Sequence, residues 1–293
     1  MPSEVTASVP AAQQAAGFRL TGPGTPLPAL LRGLWASRRL VGVLARKDFL
    51  VRYRRTRLGL VWAVVVPLIQ ATVLAIVFSA VVPRGASPSA FGGQLRSYAV
   101  FVLAGMAPWT FFSTALPAAA TSVTDSSNLA QRIYFPRLVL PLVAVLTACY
   151  PLLTTLAVFL VVAVGLGPGL QLDLLWVVPG SLLAVLLVAG LGLFLSAAQV
   201  YLRDLRFAVA AGLSVLFYLT PVIYPVRRAP DAVHDLIRVL PMAGPVELYH
   251  RAVDAADPLM WRSVLATACW TLLFGAAGLV LHSRRDRVLA DLL

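Results

Sequence analysis

Six long apolar segments constrain this chain more than any other feature of its sequence. About 20 consecutive apolar residues cross the hydrocarbon core of a bilayer as a helix. In lipid, every backbone amide must find its partner within the protein, which favours helices over irregular chain. The sequence therefore predicts an all-α polytopic membrane protein with six transmembrane helices. The segments cover about 58–82, 97–120, 138–165, 174–201, 207–224 and 259–282.

The overall composition agrees with a membrane protein and argues against an ordinary soluble domain. Hydrophobic residues make up 59% of the chain and charged residues 12%, with a mean hydropathy of +0.85. The formal net charge of +12 is also typical of nucleic-acid binding. Here, however, the positive charge lies beside the apolar segments, so the composition favours contact with membrane headgroups.

The distribution of lysine and arginine predicts the orientation. A dense basic run, Arg52–Arg57, directly precedes the first apolar segment. With six spans, seventeen basic residues fall on the side of the two termini and six on the other side. Basic residues near the ends of spans are retained in the cytoplasm. We therefore expect a multi-pass membrane protein with both termini in the cytoplasm.

The segments outside the spans give two further expectations. Residues 1–28 are rich in Ala, Pro, Gly, Ser and Thr, which predicts a disordered cytoplasmic tail. Residues 29–57 place Leu40, Leu44 and Val51 on one helical stripe, opposite several arginines. This pattern indicates an amphipathic helix in the inner membrane interface, and the alternative is a solvated basic linker.

The segment before the last span is more than a plain loop. Ala232–Leu240 and Pro245–Ala252 are partly apolar but too short to span a bilayer. Backbone at membrane depth must be covered by protein or by its own hydrogen bonds. We therefore predict two short re-entrant or interfacial helices there.

Several classes of function are disfavoured by what the sequence lacks. The only lysine is Lys47, outside any glycine-rich phosphate-binding loop, and the proposed spans contain no acidic residue for ion coupling. Glu247 and His250 have the spacing of a di-iron motif, but the additional carboxylates that such a site needs are missing from the spans. We expect no metal and no cofactor. A passive pore or a permease driven by a partner ATPase remains.

Three motifs, in order along the chain, carry a resemblance to a known family. Arg46–Trp62, followed by Pro67, resembles the basic R-Y-x-x-[ST]-x-L-G-x-x-W signature of type 2 ABC exporter permeases of the polysaccharide class. Asn128–Arg137 and Tyr201–Leu205 are the second and third matches, the third followed by Thr220–Pro225. Together they extend over most of the chain from about 40 to 251.

The resemblance implies partners, substrate and mechanism. It implies a homodimer, or a pair of like permeases, bound to cytoplasmic ABC ATPase subunits. It also implies export of a lipid-linked glycan, such as O-antigen or teichoic acid, through a channel between the copies. This chain has no catalytic site of its own in that scheme. The chain departs from the family pattern in the last external segment. The family often has Asn-Pro there, followed by an arginine about nine residues on, whereas here Leu240 precedes Pro241 and Arg251 comes one residue later than in that pattern.

The residues expected to serve this function fall into three groups. Basic residues at the membrane surface could bind the phosphate of a lipid carrier, or serve topology alone: Arg52, Arg54, Arg55 and Arg57. The second motif is expected to form a coupling helix on the ATPase, through Asn128, Arg132, Tyr134, Phe135, Pro136 and Arg137. Aromatic residues set back from the membrane surface are expected to face the pathway or the seam between copies, namely Trp109, Phe112 and Tyr218.

Two other functions remain possible at this stage. The first is an ABC permease for a drug or a small lipid. The second, of a different class, is a passive channel or an assembly scaffold. A co-purifying ATPase would distinguish a permease from the latter.

Overall fold

The computed structural model describes residues 27–54, 61–81, 95–126, 137–166, 170–226, 231–253 and 260–285. These ranges contain helices and turns and no strand. A short 3₁₀ helix, Leu172–Trp176, precedes α6. The α-helices are α1 (Leu27–Ala36), α2 (Arg38–Arg54), α3 (Val61–Val81), α4 (Leu95–Asp125), α5 (Val139–Leu166), α6 (Val177–Tyr201), α7 (Leu205–Leu219), α8 (Asp231–Val239), α9 (Ala243–Arg251) and α10 (Met260–Arg285).

Four helical segments among the described residues are long and apolar enough to cross a membrane. They are Tyr98–Asp125, Val139–Gly165, Leu172–Tyr201 and Met260–Ser283, and they correspond to the second, third, fourth and sixth predicted spans. The chain is therefore a helical, multi-pass membrane protein, as expected. The first and fifth predicted spans contain α3 and α7, of 21 and 15 residues, and their crossing of the membrane stays a prediction.

Helix α4 lies at the centre of the bundle. Its residues from Val100 to Trp109 are all buried, and it packs against α3, α5, α6, α7 and α9. Pro108 and Pro117 lie inside the helix. Prolines are tolerated in membrane helices when neighbouring helices and hydroxyl side chains satisfy the freed backbone groups. The burial of α4 thus fixes the positions of the other helices.

Glycines allow α6 and α10 to approach closely. A Cβ on Gly190 of α6 would lie 2.8 Å from the carbonyl oxygen of Thr271, and one on Gly278 of α10 would lie 2.6 Å from the nitrogen of Phe194. In a membrane the hydrophobic effect gives little net drive to helix association, so close van der Waals contact through small residues becomes important. The two helices therefore depend on these glycines for their contact.

Two helix boundaries differ from the sequence expectations. The fifth span was predicted to continue to Tyr224, but α7 ends at Leu219 and Thr220 has extended backbone, with ψ 137°. Pro221 explains this, because the residue before a proline is disfavoured in helical conformation. The single helix predicted over 29–57 is instead divided into α1 and α2, which meet at Ser37. The amide of Ser37 is shared between the carbonyls of Gly33 and Leu34, as is common at helix ends.

The bundle has two distinct ends. At one end the short helix α9 packs against the first turns of α4, α6 and α10, and we call this the α9 end. At the other end α2 packs on the first turns of α5, where Ala45 contacts Val139 and Val143. We call this the α2 end. By the distribution of arginine, the α2 end is the one expected in the cytoplasm.

Candidate translocation and coupling surfaces

The basic surface of the α2 end is carried by helix α2. Arg46, Lys47 and Arg52 are exposed, and Arg54 is the last residue of the helix. The remaining candidates of this group, Arg55 and Arg57, lie outside the described residues, as does the side chain of Arg54. The phosphate-binding role of the group stays a prediction, with Arg52 placed on an accessible surface.

Helix α2 also has one apolar face that packs on protein. Ala45 is fully buried, and its carbonyl accepts a hydrogen bond of 3.4 Å from the hydroxyl of Thr147. One turn further, the ring of Phe49 stacks on Tyr150 with 4.5 Å between the centroids. Helix α2 is therefore attached to α5 by direct contact, beyond any contact that it makes with lipid.

A second apolar face of α2 remains uncovered. The side chains on this face are at least half exposed: Val43 at 65%, Leu50 at 50% and Val51 at 57%. Together with Arg46 and Lys47 they line an open groove of about 330 Å³. Apolar side chains beside cations are typical of a surface that meets the acyl–headgroup boundary of a bilayer. The stripe predicted from the sequence is thus divided between a face on α5 and a face open to lipid or to a partner.

The predicted coupling segment lies mostly outside the described residues. Asn128, Arg132, Tyr134, Phe135 and Pro136 fall in the gap between residues 126 and 137. Arg137 is described and is half-buried at the start of the turn before α5. This gap connects α4 to α5 directly beside the contact of α2 with Val139. Arg137, which follows the gap, thus lies two residues before Val139, at the α2 end.

The aromatic candidates have two different environments. Trp109 and Phe112 are buried within the protomer, with exposed fractions of 6% and 0%, and their ring centroids are 5.6 Å apart. Trp109 also packs on Phe217 of α7 at 5.4 Å. Tyr218, the next residue, is 72% exposed. A pathway role stays a prediction for all three, and of the three only Tyr218 has a ring that is exposed on the surface of the chain.

A strip of hydroxyl groups follows the open side of α4 and was not among the candidates expected from the sequence. From Thr110 onward, most of the residues of this helix that keep some exposure are serines and threonines. Each hydroxyl donates to a carbonyl of its own helix, which leaves its lone pairs free to accept from another molecule. A period of three to four residues among hydroxyls could have revealed it in the sequence. The hydroxyl strip comprises Thr110, Ser113, Thr114, Thr121 and Thr124.

The polar residues of α9 have partners within the bundle. Glu247 is 5% exposed, and one of its carboxylate oxygens accepts a 3.1 Å hydrogen bond from the hydroxyl of Ser263. The imidazole of His250 stacks on Phe101 with centroids 3.7 Å apart. The Tyr249 hydroxyl lies 2.6 Å from that of Ser181. The spans predicted from the sequence contain no acidic residue, yet the structure buries Glu247 in the segment before the last of them.

Burial keeps two of these α9 groups neutral. Neither residue belongs to the four candidate spans. Desolvation lowers the pKa of His250 to about 3, against the opposing effect of the backbone carbonyls of Phe101 and Val222. It raises the pKa of Tyr249 to about 12, slightly offset by the hydrogen bond with Ser181. The contacts of both rings are therefore independent of pH in the physiological range.

The chain is similar to curated proteins that are named as O-antigen export permeases. An O-antigen export system permease protein RfbA of Klebsiella pneumoniae is 28% identical over 206 residues, which cover 70% of this chain and 76% of that protein. The RfbA protein of Myxococcus xanthus is 28% identical over 267 residues, covering 88% of this chain and 96% of the relative. The similarity thus extends over nearly the whole of the latter protein.

The family assignment rests on a match of a different kind. The family model described as ABC-2 type transporter matches residues 39–251, a region that runs from α2 to the end of α9 and contains every motif that carries the resemblance noted in the sequence. That match covers well over half of the chain. The chain therefore belongs to the ABC-2 type transporter family, and it is a membrane permease component of the kind expected from its sequence.

Proposed function

We propose that this chain is the permease subunit of an ABC exporter that moves a lipid-linked polysaccharide across the bacterial cytoplasmic membrane. The cargo would be an O-antigen, a teichoic acid or a similar cell-envelope glycan. The observation that carries the proposal is the similarity to O-antigen export permeases over 88% of this chain and 96% of one relative. The family implies an ABC ATPase partner, which would hydrolyse ATP on a separate cytoplasmic subunit.

The proposed arrangement has six spans with both termini in the cytoplasm. Helices α3 and α7 would be the first and fifth spans. In support, α3 is 21 residues long and contains no charged residue, and a helix of that length extends about 30 Å, the thickness of the hydrocarbon core. Helices α8 and α9 would lie as two short helices in the outer part of the membrane.

The proposed pathway lies between two copies of the chain. Helix α7 supports this, because it buries only Leu213 fully and leaves Val215, Tyr218 and Leu219 exposed. Small residues on the same helix, including Ala208 and Ala211, permit close approach of another helix. A second copy would cover this face and would enclose the cargo beside it.

The chemistry of the accessible polar groups suits a neutral, hydroxyl-rich cargo. The hydroxyl strip of α4 offers acceptors to sugar hydroxyls, since its own protons are committed to the helix. Tyr218 offers an aromatic face with a polar tip. An ionic cargo would require charged partners at membrane depth, and such residues are costly there. A glycan could therefore slide along this surface without being bound by charge.

The arginines of the α2 end would receive the anionic part of the cargo. Arginine binds phosphate through two parallel N–H groups, which gives both attraction and orientation. Arg46 and Arg52 are exposed on α2, next to the apolar groove formed by Val43 and Leu50. This juxtaposition fits a lipid phosphate, whose chain stays in the acyl layer while its headgroup meets the cations.

The test is reconstitution of the permease with its ATPase partner in liposomes. Fluorescently marked lipid-linked glycan is supplied on the ATPase side, and its arrival on the opposite face is followed by quenching with a membrane-impermeant reagent. We expect ATP-dependent transfer, and no transfer when the ATPase subunit cannot hydrolyse ATP. A matched lipid without the glycan and a hydrophobic drug serve as competing cargoes.

Two results would contradict the proposal. Transfer of the drug or of the glycan-free lipid, without transfer of the glycan, would assign the chain to small-molecule export. Transfer that is independent of ATP and of the partner subunit would indicate a passive channel.

A further inference from the structure

The short helix α9 is surrounded by the bundle on all sides, which is unusual for nine residues between two spans. Every residue from Met242 to His250 is buried. The helix contacts α4, α6, α8, α10 and the 3₁₀ helix before α6. A polar segment at such a position requires a specific set of partners, because each unpaired group in a low-dielectric environment is costly.

Three side chains in the second half of α9 each contact a different helix. The Tyr249 hydroxyl is 2.6 Å from the Ser181 hydroxyl on α6. The Glu247 carboxylate accepts a hydrogen bond of 3.1 Å from the hydroxyl of Ser263 on α10. His250 stacks on Phe101 of α4 with an angle of 15° between the rings.

The first turn of α9 and its last residue, Arg251, also have partners. The hydroxyl of Thr267 on α10 accepts from the amide of Gly244 at 3.3 Å and donates to the carbonyl of Pro241 at 2.8 Å. At the other end of α9, Arg251 forms an ion pair of 3.3 Å with Asp173 of the 3₁₀ helix. The attachment therefore covers the full length of α9.

Glycines bring the backbones together at these contacts. A Cβ on Gly105 of α4 would lie 2.9 Å from Nε2 of His250 and would also collide with the carbonyl of Val222. A Cβ on Gly180 of α6 would lie 2.9 Å from the ring of Tyr249. A Cβ on Gly244 would lie 2.6 Å from the hydroxyl of Thr267. Contacts this close cannot slide without breaking several hydrogen bonds together.

We infer that Glu247, Tyr249 and His250 are positioning residues that make α9 a fixed joint between α4, α6 and α10. The joint holds the first turns of these three helices at constant separation during the transport cycle. The inference goes beyond the proposed function, because it holds for any cargo and requires only the ABC ATPase partner that the family implies. Movement driven by ATP then takes place within a protomer away from the α9 end, or between copies.

The two ends of the same pair of helices provide the measurement. Spin labels are attached near the joint at positions 178 and 265, where Val178 of α6 and Leu265 of α10 are 63% and 65% exposed. A second pair is placed at the α2 end, at Leu202, directly after the last residue of α6, and at Val280 of α10, with exposed fractions of 62% and 36%. Cys149 and Cys269, which are free thiols, are first replaced by alanine.

The distances are recorded in the complete transporter in lipid nanodiscs, without nucleotide and with ATP trapped on a hydrolysis-deficient ATPase. Labelled permease is diluted with unlabelled permease so that only distances within one protomer contribute. We expect the distribution between 178 and 265 to be narrow and unchanged by ATP. A shift of its mean on ATP binding would overturn the inference, whatever the pair at the α2 end does.

Substitutions at the joint give the second half of the test. Tyr249→Phe and Glu247→Leu each remove one polar contact and should broaden the distribution between 178 and 265. Glu247→Gln should keep it narrow, because the amide oxygen still accepts from Ser263. The control is Ser214→Ala, which removes an exposed hydroxyl bonded only within α7. Monodisperse elution of each variant shows that it is folded.

The outcomes separate this inference from the proposed function. An unchanged narrow distribution in both Tyr249→Phe and Glu247→Leu would show that these side chains do not position the helices, and would overturn it. The transporter could instead fail to move glycan while the distance between the labels at 178 and 265 stays unchanged by ATP. In that case the joint is intact, and only the assignment of the cargo is contradicted.

Discussion

Polar side chains are buried at one end of the bundle and exposed at the other. At the α9 end, Glu247, Tyr249 and His250 are buried and each has a partner on another helix. At the α2 end, Arg46 and Arg52 are exposed. Buried polar side chains with specific contacts favour one arrangement of helices, whereas exposed cations remain available to lipids and partners. From this difference we expect the α9 end to maintain the arrangement of the helices and the α2 end to bind lipids and partners.

The glycines at the α9 end are packed more tightly than those of α2 and α7. Gly105 and Gly180, at the α9 end, have no room for a side chain. Gly42 of α2 and Gly212 of α7 would have no atom within 4 Å of an added Cβ. Interfaces with close backbone contact are rigid because packed cores have few alternative arrangements. The predictions that follow test the comparison, in order of decreasing expected effect.

The largest effect is expected where the α2 end meets the ATPase. Replacing Tyr134 and Phe135 together with alanine should remove two apolar anchors from the predicted coupling helix. Aromatic hot spots contribute about 2 kcal/mol or more each, so the affinity for the ATPase should fall roughly a thousandfold. Co-purification and surface plasmon resonance with the ATPase subunit measure the change.

The control for this prediction is an aromatic pair at the other end of the molecule. Trp176 and Trp261 pack edge to face beside the α9 end, with centroids 5.8 Å apart. Changing Trp261, which is 52% exposed, to alanine should leave the affinity for the ATPase unchanged. Full affinity in the Tyr134/Phe135 variant would contradict the proposed coupling role and would weaken the contrast between the ends.

The second effect concerns stability and should appear only at the α9 end. In Gly105→Ala, the new methyl group would meet His250 and the carbonyl of Val222. Overpacking of a well-filled interior costs about 1–3 kcal/mol, and here backbone must move to relieve the contact. We expect a lower midpoint of thermal unfolding in detergent and a smaller monodisperse fraction. Gly212→Ala, which has open space, should behave as wild type, and equal stability of the two variants would argue against a rigid α9 end.

Sequence patterns predicted the helices of this molecule better than they predicted the contacts between helices. Apolar segments of sufficient length specify spans such as α5 and α10 directly, since hydrocarbon excludes alternatives. Pro221 shows how a local rule also fixes a boundary, because it ends α7 at Leu219. That boundary could have been predicted from the sequence, where Thr220 and Pro221 were instead counted in the span.

The candidate site was less predictable for a physical reason. Trp109 and Tyr218 are both aromatic residues set back from a predicted membrane surface, yet one is 6% exposed and the other 72%. Their difference arises because other helices surround α4 around Trp109 and leave one face of α7 uncovered, and the sequence of a single helix does not specify which helices pack against it. The partners of Glu247 and His250 likewise come from helices far apart in sequence, Ser263 and Phe101.

The third effect concerns transport and should arise only at the α2 end. Changing Arg52, Arg54 and Arg55 to glutamine removes charges proposed to bind a lipid phosphate. A charge-assisted hydrogen bond contributes about 1.5–3 kcal/mol, so glycan transfer should fall roughly tenfold or more while expression stays normal. Lysine at the three positions should keep part of the activity, because charge remains but the two-pronged geometry of arginine is lost.

A control at the α9 end checks that this effect depends on position. Arg262 is 65% exposed and lies 3.8 Å from Asp235, and an exposed ion pair contributes about 0–1 kcal/mol. Arg262→Gln should therefore transport nearly as well as wild type. Normal transport by the triple glutamine variant would leave the arginines of α2 with a topological role only.

The smallest effect on stability should come with a clear effect on transport, and Tyr218 is the position that shows it. Its side chain is 72% exposed, while its neighbour Phe217 packs on Trp109 in the core. Because substitutions of exposed residues change stability by about 0.5 kcal/mol or less, Tyr218→Ala should fold normally. Removing an aromatic face from the proposed pathway should still reduce glycan transfer per ATP hydrolysed. Trp109→Ala provides the contrast, since emptying a buried tryptophan site costs about 3–5 kcal/mol and should lower the yield of folded protein. If Tyr218→Ala transports glycan at the wild-type rate, the exposed face of α7 is not part of the pathway, and its ring is better assigned to contact with lipid.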